Sequence, residues 1–511
     1  MKRSCLLLIA LFLTVTSYGQ NKAEIFYHVV QRSFYDSNGD HIGDLNGLRK
    51  KLDYLKELGV TSILLLPLYD ADCYHNYFAN DFEKIDPEFG TMNDYINLVK
   101  EVHRKNMKIY LDMETQYVTS KHQWWTSAVG NLKSPYSNYI LFQDEEHNKP
   151  STIIYDLTGL TGYNGTEIKI TTVNLKSKEV LDYNIKLFSF FSDPNKDGKF
   201  DDGADGFRLD HAMDHLDNKP TLDNLFETFW NPLIQKIKLV NPQIKFIAEQ
   251  ANWSDLGVDY FTKAGVDIVF AFQLGGAILS LKKNLIINKA DTTFQVTPPG
   301  KEQIVFIENH DLDRSATQFN RDLNKEKTAA ALMLLIGGIP SIYYGQEIGM
   351  TGRGGFGMYG NTDGNDIPRR EAMEWTKSGT GDGVSLWYKD SGPWWVNSNS
   401  KPNDGISVEE EKNDPNSLLS FYKTMIKIRQ SSAALSSGTF QNISNGNDQV
   451  LTFVRNSESE RVLVAINLSG EKQVANLAQP ATNYRPLFGK IVISNQVELQ
   501  PFEVVIGTVS K

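Results

Sequence analysis

The sequence predicts an α/β protein built on a (β/α)8 TIM barrel, with a small domain inserted after the third strand and a C-terminal all-β sandwich. Three observations predict it. Eight short apolar runs are separated by stretches with helical spacing, the strand count of a closed barrel rather than the five or six of an open doubly wound sheet. The connection after the third run, from about Gln116 to about Asp182, is unusually long and rich in Gly, Asn, Thr and Tyr. From about Ser436 onward the chain changes to short alternating segments such as QVLTFVR and RVLVAINL, the texture of a β-sandwich. At 511 residues the chain exceeds what one core of average size needs, so residues 20–435 are expected to hold the barrel and 436–511 the sandwich.

The first residues, MKRSCLLLIALFLTVTSYGQ, carry two positive charges, an apolar run from Cys5 to Val15, and small residues Ser17 and Gly19. This is the layout of a secretory signal peptide, so residues 1–19 are expected to be cleaved and the protein exported to the periplasm, the cell surface or the medium. The run is too short to span a bilayer as a helix, and no later stretch is apolar enough for a membrane span. Losing Lys2 and Arg3 takes the formal net charge from −10 to −12. An acidic surface argues against nucleic acid as a partner. Only Cys73 then remains, which excludes an intramolecular disulfide and points to bound metal as the cross-link; Cys73 itself reads as a packed thiol.

Strand one is AEIFYHVVQ (23–31). The polar loop after it, DSNGDHIGD, offers oxygens from Asp36, Asn38, Asp40, the Ile42 carbonyl and Asp44 at positions one, three, five, seven and nine, which matches a Ca2+ loop. The terminal bidentate glutamate of an EF-hand is missing, and an Asx-rich turn is the alternative. Leu45, Leu48, Leu52, Leu55 and Leu58 share one helical face, Gly59 ends that helix, and VTSILLLP (60–67) is strand two. Tyr95, Leu98, Val99 and Val102 repeat the helical pattern before MKIYLDM (107–113). ADGFRLD, QIKFIAE, VDIVFAF, QIVFIEN and GIPSIYYG complete the eight. Just before the fourth lies DPNKDGKFDD, where Asp193, Asn195, Asp197 and Asp201 space their oxygens like a second Ca2+ loop that would stiffen the entry to that strand.

Polar residues at the C-terminal ends of barrel strands face the active site. Those ends carry Asp112, Arg208 with Asp210, Glu249, and Asn309, His310 and Asp311. Arg208 and Asp210 alternate on one strand and therefore share a face. A structural ion pair is the bland reading for two groups, but four carboxylates converging without chemistry or metal would repel at a cost of kcal/mol. Paired carboxylates, one ionised and one protonated, are what glycoside cleavage requires. Asp210 beside Arg208 suits the nucleophile, Glu249 on its apolar strand the acid, and Asp311 a third group that stabilises a cationic transition state.

These motifs resemble the α-amylase family, glycoside hydrolase family 13, over nearly the whole chain after the leader. GFRLD, the glutamate of FIAE, NHD (309–311), IDPEFGT (85–91), GIPSIYYGQEIG (338–349) and RREAMEW (369–375) follow the family's order. The resemblance implies Asp210, Glu249 and Asp311 as catalytic residues and Tyr77, Asp81, Asp112, Arg208 and His310 as substrate-binding ones. It implies retaining cleavage of α-glucans or maltooligosaccharides, with a transglycosylase or isomerase as the alternative and a non-catalytic glucan-binding protein as a third reading. Two departures stand out. Gln116 and Tyr117 replace the usual Asn-His of the third-strand motif, although SKHQWW (120–125) fixes its register, and Met213 and Asp214 replace a Lys-His lining the acceptor side. Linkage specificity and oligomeric state are not legible.

Overall fold

Eight parallel strands close into a barrel in the computed structural model, which describes residues 23–477, 483–490 and 495–510; the leader 1–19 lies outside these residues. The barrel strands are β1 (Phe26–Val29), β2 (Ser62–Leu65), β3 (Lys108–Met113), β4 (Gly206–Leu209), β5 (Lys245–Ala248), β6 (Ile268–Phe270), β7 (Glu302–Val305) and β8 (Ile339–Tyr343). Each pairs with its neighbours in sequence, and β8 returns to β1 with Phe26 opposite Ser341.

Side chains two apart on a strand face the same way. Inside the barrel this stacks an apolar layer of Phe26, Leu64, Tyr110, Ile247, Ile304 and Ile339 beneath a polar one. Phe26 precedes His28, Tyr110 precedes Asp112, and Ile247 precedes Glu249 by two residues, so one alternation builds both the packed floor and the charged mouth. Gly206 starts β4 because that floor is full: a Cβ there would stand 2.4 Å from the Tyr110 ring and 2.5 Å from the Lys245 carbonyl oxygen.

The outer helices follow the predicted pattern with one change. The face read from Leu45 to Leu58 belongs to two helices, Leu45–Lys50 and Leu52–Leu58, broken where Lys51 turns its ammonium onto the rings of Tyr35 and Trp375. Gly59 closes the second in the left-handed conformation, φ 100°. Helix Met92–Arg104 is started by a reciprocal Thr91–Asp94 capping box and buries Tyr95, Leu98, Val99 and Val102.

Beside the mouth lies a five-stranded sheet whose order is Tyr69–Ala71, Ala79–Ile85, Tyr117–Thr119, Glu167–Thr172 and Gly159–Thr161. Only three of these strands come from the segment after β3; the other two come from the connection after β2. The insertion ends at Ser177, which caps helix Lys178–Ser192 in front of β4, so the helix takes in Asp182. C-terminal to the barrel, a five-stranded antiparallel sheet and the pair Gln473–Asn476 and Gln496–Leu499 enclose a core that includes Val450, Leu463, Val497 and Leu499. Arg455 ties this unit to the barrel by donating from Nη1 to the Leu335 carbonyl at 2.8 Å. Among the described residues, no helix is long and apolar enough to cross a membrane.

Candidate active site

At the C-terminal mouth of the barrel, Arg208 sits at the centre of an almost dry carboxylate cluster. Its Nη1 donates to Asp112 Oδ2 at 2.6 Å and to Asp210 Oδ1, and its Nη2 pairs with Glu249 Oε2 at 2.8 Å. Arg208, Asp112, Asp210 and Glu249 are all buried. The Tyr77 hydroxyl donates to Asp112 Oδ2 at 2.7 Å and lies 2.8 Å from His310 Nε2, with the two rings stacked 5.6 Å apart. Asp311 completes the ring: its Oδ2 is 3.1 Å from His310 Nε2, and its Oδ1 accepts from Arg370 Nη2 at 2.9 Å.

This environment splits the two central carboxyls. Burial raises Glu249 to about 7, against the pull of Arg208 and with the help of the Asp210 charge, so it keeps a proton near neutrality. Burial also opposes ionisation of Asp210, but His211 and Arg208 outweigh it and hold that carboxyl well below the usual range. Burial moves Asp112 up to about 7 despite Arg208. His310 is held neutral by burial and by the Arg370 and Arg208 charges. Two buried acceptors, Asp112 Oδ1 and His310 Nδ1, have no partner among the described residues.

The structure thus brings together Asp210, Glu249, Asp311, Tyr77, Asp112, Arg208 and His310. Asp81 stands apart from them, on strand Ala79–Ile85, where it accepts from the Glu83 amide and pairs with Lys84 at 2.7 Å. Three contributors were not read from the sequence. Arg370 holds Asp311 and also donates to the His310 carbonyl at 2.9 Å. Glu114 and His211 flank Asp210; Glu114 lies two residues beyond Asp112 on the same alternation, a signal the strand pattern did contain.

The departures have structural roles. Gln116 Nε2 donates to Glu114 Oε2 at 3.0 Å and to the Asp210 carbonyl at 3.1 Å, and Tyr117 turns its hydroxyl to Asp217 at 2.8 Å. Asp214 accepts from the Phe226 amide at 2.8 Å, so its carboxylate serves the following helical segment. Beyond Asp311 a cavity of about 660 Å³ opens between Trp253, Phe272, Phe306 and Arg353, with the half-exposed Trp253 ring stacked on Phe272 at 4.9 Å.

The carboxylates of the two oxygen-rich loops accept mainly from their own loops' amides. In the first, Asp36 accepts from the Asn38, Gly39 and His41 amides, Asp40 from the Ile42 amide, and Asp44 from the Ser37 and Gly47 amides. In the second, Asp193 accepts from the Gly198 amide at 2.9 Å, Asn195 from the Asp197 amide at 2.8 Å, and Asp197 from the Lys199 amide at 3.0 Å. The His103 ring lies 3.0 Å from the carbonyl of Asp201. Asp202 beside them is 1 % exposed, and neither of its carboxylate oxygens has a partner among the described residues. All-oxygen donors suit a hard cation in kind, and a buried carboxylate without a donor calls for one. Among the described residues, three His, Cys, Asp or Glu side chains come within mutual reach only at Glu114, Asp210 and His211.

Known proteins share this architecture from end to end. The chain is 30% identical over 522 residues to alpha-amylase 3 of Dictyoglomus thermophilum, covering 98% of this chain and 97% of that one. It is 28% identical over 530 residues to the trehalose synthase/amylase TreS of Mycobacterium tuberculosis, covering 91% and 85%. The crystal structure of the alpha-amylase from H. orenii superposes with a TM-score of 0.79 at 27% identity, over 96% of this chain and all of that one. The alpha-amylase catalytic-domain model matches residues 28–438, and the chain belongs to the α-amylase family of glycoside hydrolases.

Proposed function

We propose that the protein is a retaining α-glycoside hydrolase acting on α-glucans or maltooligosaccharides, with Asp210 as nucleophile and Glu249 as acid/base. One observation carries the reading: a single guanidinium, that of Arg208, bridges Asp210 and Glu249. The bridge gathers both carboxyls at one site, as a double displacement with carboxyls ~5 Å apart requires. Asp210 attacks the anomeric carbon as the glycosidic bond breaks, and Glu249 gives its proton to the departing oxygen. Water, deprotonated by the Glu249 carboxylate, then attacks the same carbon and releases Asp210. Asp112 and His310, with their unpartnered atoms, are placed to hold sugar hydroxyls, and Asp311, fixed by Arg370, supplies negative charge to the oxocarbenium-like transition state.

A second reading replaces water by a sugar hydroxyl, giving transglycosylation or isomerisation. The trehalose synthase relative favours it, as does the aromatic cavity beside Asp311, which is large enough to hold a sugar through the second step. Export is supported by the leader at residues 1–19, and Ca2+ binding by the two oxygen-rich loops and the partnerless Asp202 carboxylate. Products from maltose, maltotriose, pullulan, cyclodextrin, starch, isomaltose and trehalose, separated by chromatography, distinguish hydrolysis from transfer. Asp210→Asn is expected to keep the fold and lose at least ~10³-fold in turnover on every substrate cleaved; retained activity removes Asp210 as nucleophile.

A further inference from the structure

Two side chains in the mouth, Glu114 and His211, take no direct part in the chemistry above, and both reach the nucleophile Asp210. Glu114, Asp210 and His211 each present a ligand atom, and those atoms all lie within 4.8 Å of one another. We propose that these three residues form a binding site for a first-row transition-metal dication, and that the bound ion inhibits the enzyme by engaging the nucleophile.

The chemistry of the set selects the ion. One imidazole nitrogen with two carboxylate oxygens is a ligand combination for Zn2+ and its neighbours, whereas Ca2+ and Mg2+ are held by oxygen alone. Three protein ligands leave a coordination position open toward the substrate space, as in sites that keep a water. Supporting contacts are already in place: Gln116 Nε2 donates to Glu114 Oε2 at 3.0 Å, and Arg208 orients Asp210 from its Oδ1 side. His211 Nδ1 lies 3.1 Å from Asp210 Oδ2, on the opposite oxygen. The backbone of His211 is left-handed, φ 39°, an uncommon conformation for a non-glycine residue, and it turns the imidazole toward the nucleophile.

Glu114 and Asp210 are both buried and close enough for one dication to engage both carboxyls. Arg208 engages Asp210 at Oδ1 and shares its guanidinium with Asp112 and Glu249. The His211 side chain is 39 % exposed, which gives an ion its path from solvent. An ion bound to Asp210 occupies the lone pair that would attack the sugar, so ion and substrate exclude one another.

The inhibition part rests on Asp210 being the nucleophile, whereas the binding part does not. Zn2+ titrated calorimetrically into the chelator-treated protein is expected to bind once per chain at micromolar concentration. Glu249→Gln keeps all three ligands and is expected to bind as tightly as wild type, whatever the enzyme's reaction proves to be. His211→Ala and Glu114→Gln, each checked for a native thermal melt, are expected to weaken binding at least ~10-fold. His211→Gln serves in place of the alanine variant if that one does not fold. In wild type Zn2+ raises KM and leaves kcat unchanged, and EDTA reverses the effect. No binding below about 1 mM, or undiminished affinity in a folded His211 variant, overturns the site. Binding without any loss of turnover overturns the inhibitory role alone.

Discussion

Glu249 offers the sharpest quantitative test, because its surroundings set where the enzyme loses activity as pH rises. The carboxyl is buried and pushed from 4.5 to about 7. Cleavage of an unactivated sugar needs its protonated form. At pH 6 a group near 7 is about 90% protonated, while one at its ordinary value is about 3% protonated, so the burial of Glu249 is worth ~30-fold at that pH. Asp210, held low by His211 and Arg208, stays ionised to below the usual carboxylate range and is lost as an attacking anion only in stronger acid. kcat/KM on a maltooligosaccharide is therefore expected to be flat across mildly acidic pH and to fall about 10-fold per pH unit above neutrality. Glu249→Gln is expected to cost ~10²–10⁴-fold on that substrate and to abolish the alkaline limb. On a 4-nitrophenyl α-glucoside, whose leaving group departs without a proton, the same variant should lose far less. A wild-type limb below pH 5, or a limb that survives in Glu249→Gln, would refute the assignment.

Three further outcomes test other parts of the structure. Tyr77→Phe removes the donor to Asp112 at 2.7 Å; leaving a buried acceptor without its donor costs ~1–3 kcal/mol, so kcat/KM should fall about 5- to 100-fold, and a change under about 3-fold would dismiss the contact. Gly206→Ala forces a Cβ against the Tyr110 ring and should lower stability by ~1–3 kcal/mol in chemical denaturation; wild-type stability would show that the barrel floor can shift. Chelation is expected to lower the melting temperature and added Ca2+ to restore it, whereas an unchanged melt excludes both oxygen-rich loops as metal staples.

Much of this molecule was legible because strand alternation is local. Each barrel strand was read from its apolar run, the period of two put Arg208 and Asp210 on one face, and the third strand's C-terminal end placed Asp112 at the mouth. Gly59 closed its helix as expected, since a left-handed terminus favours a residue without Cβ. The break at Lys51 was not visible, because it follows rings contributed by Tyr35 and by Trp375, the latter far along the chain. For the same reason the small domain expected between Gln116 and Asp182 did not show that two strands of its sheet come from the connection after β2.

By itself the sequence determined the candidate centre: an arginine and a carboxylate on one strand, a second carboxyl at the end of another, and the motif order that resembles a single family. Only the tertiary structure decided how those groups are tuned. Arg370 reaches Asp311 from a loop 59 residues away, Glu114 and His211 close around Asp210 from two different strand ends, and Asp81 turns to Lys84 rather than to the cluster. The physical reason is the range of the forces involved. Strand periodicity and turn chemistry act over a few residues and are written in order along the chain. Burial and charge act through space, and the values they give Glu249 and Asp210 exist only once the barrel has closed around them.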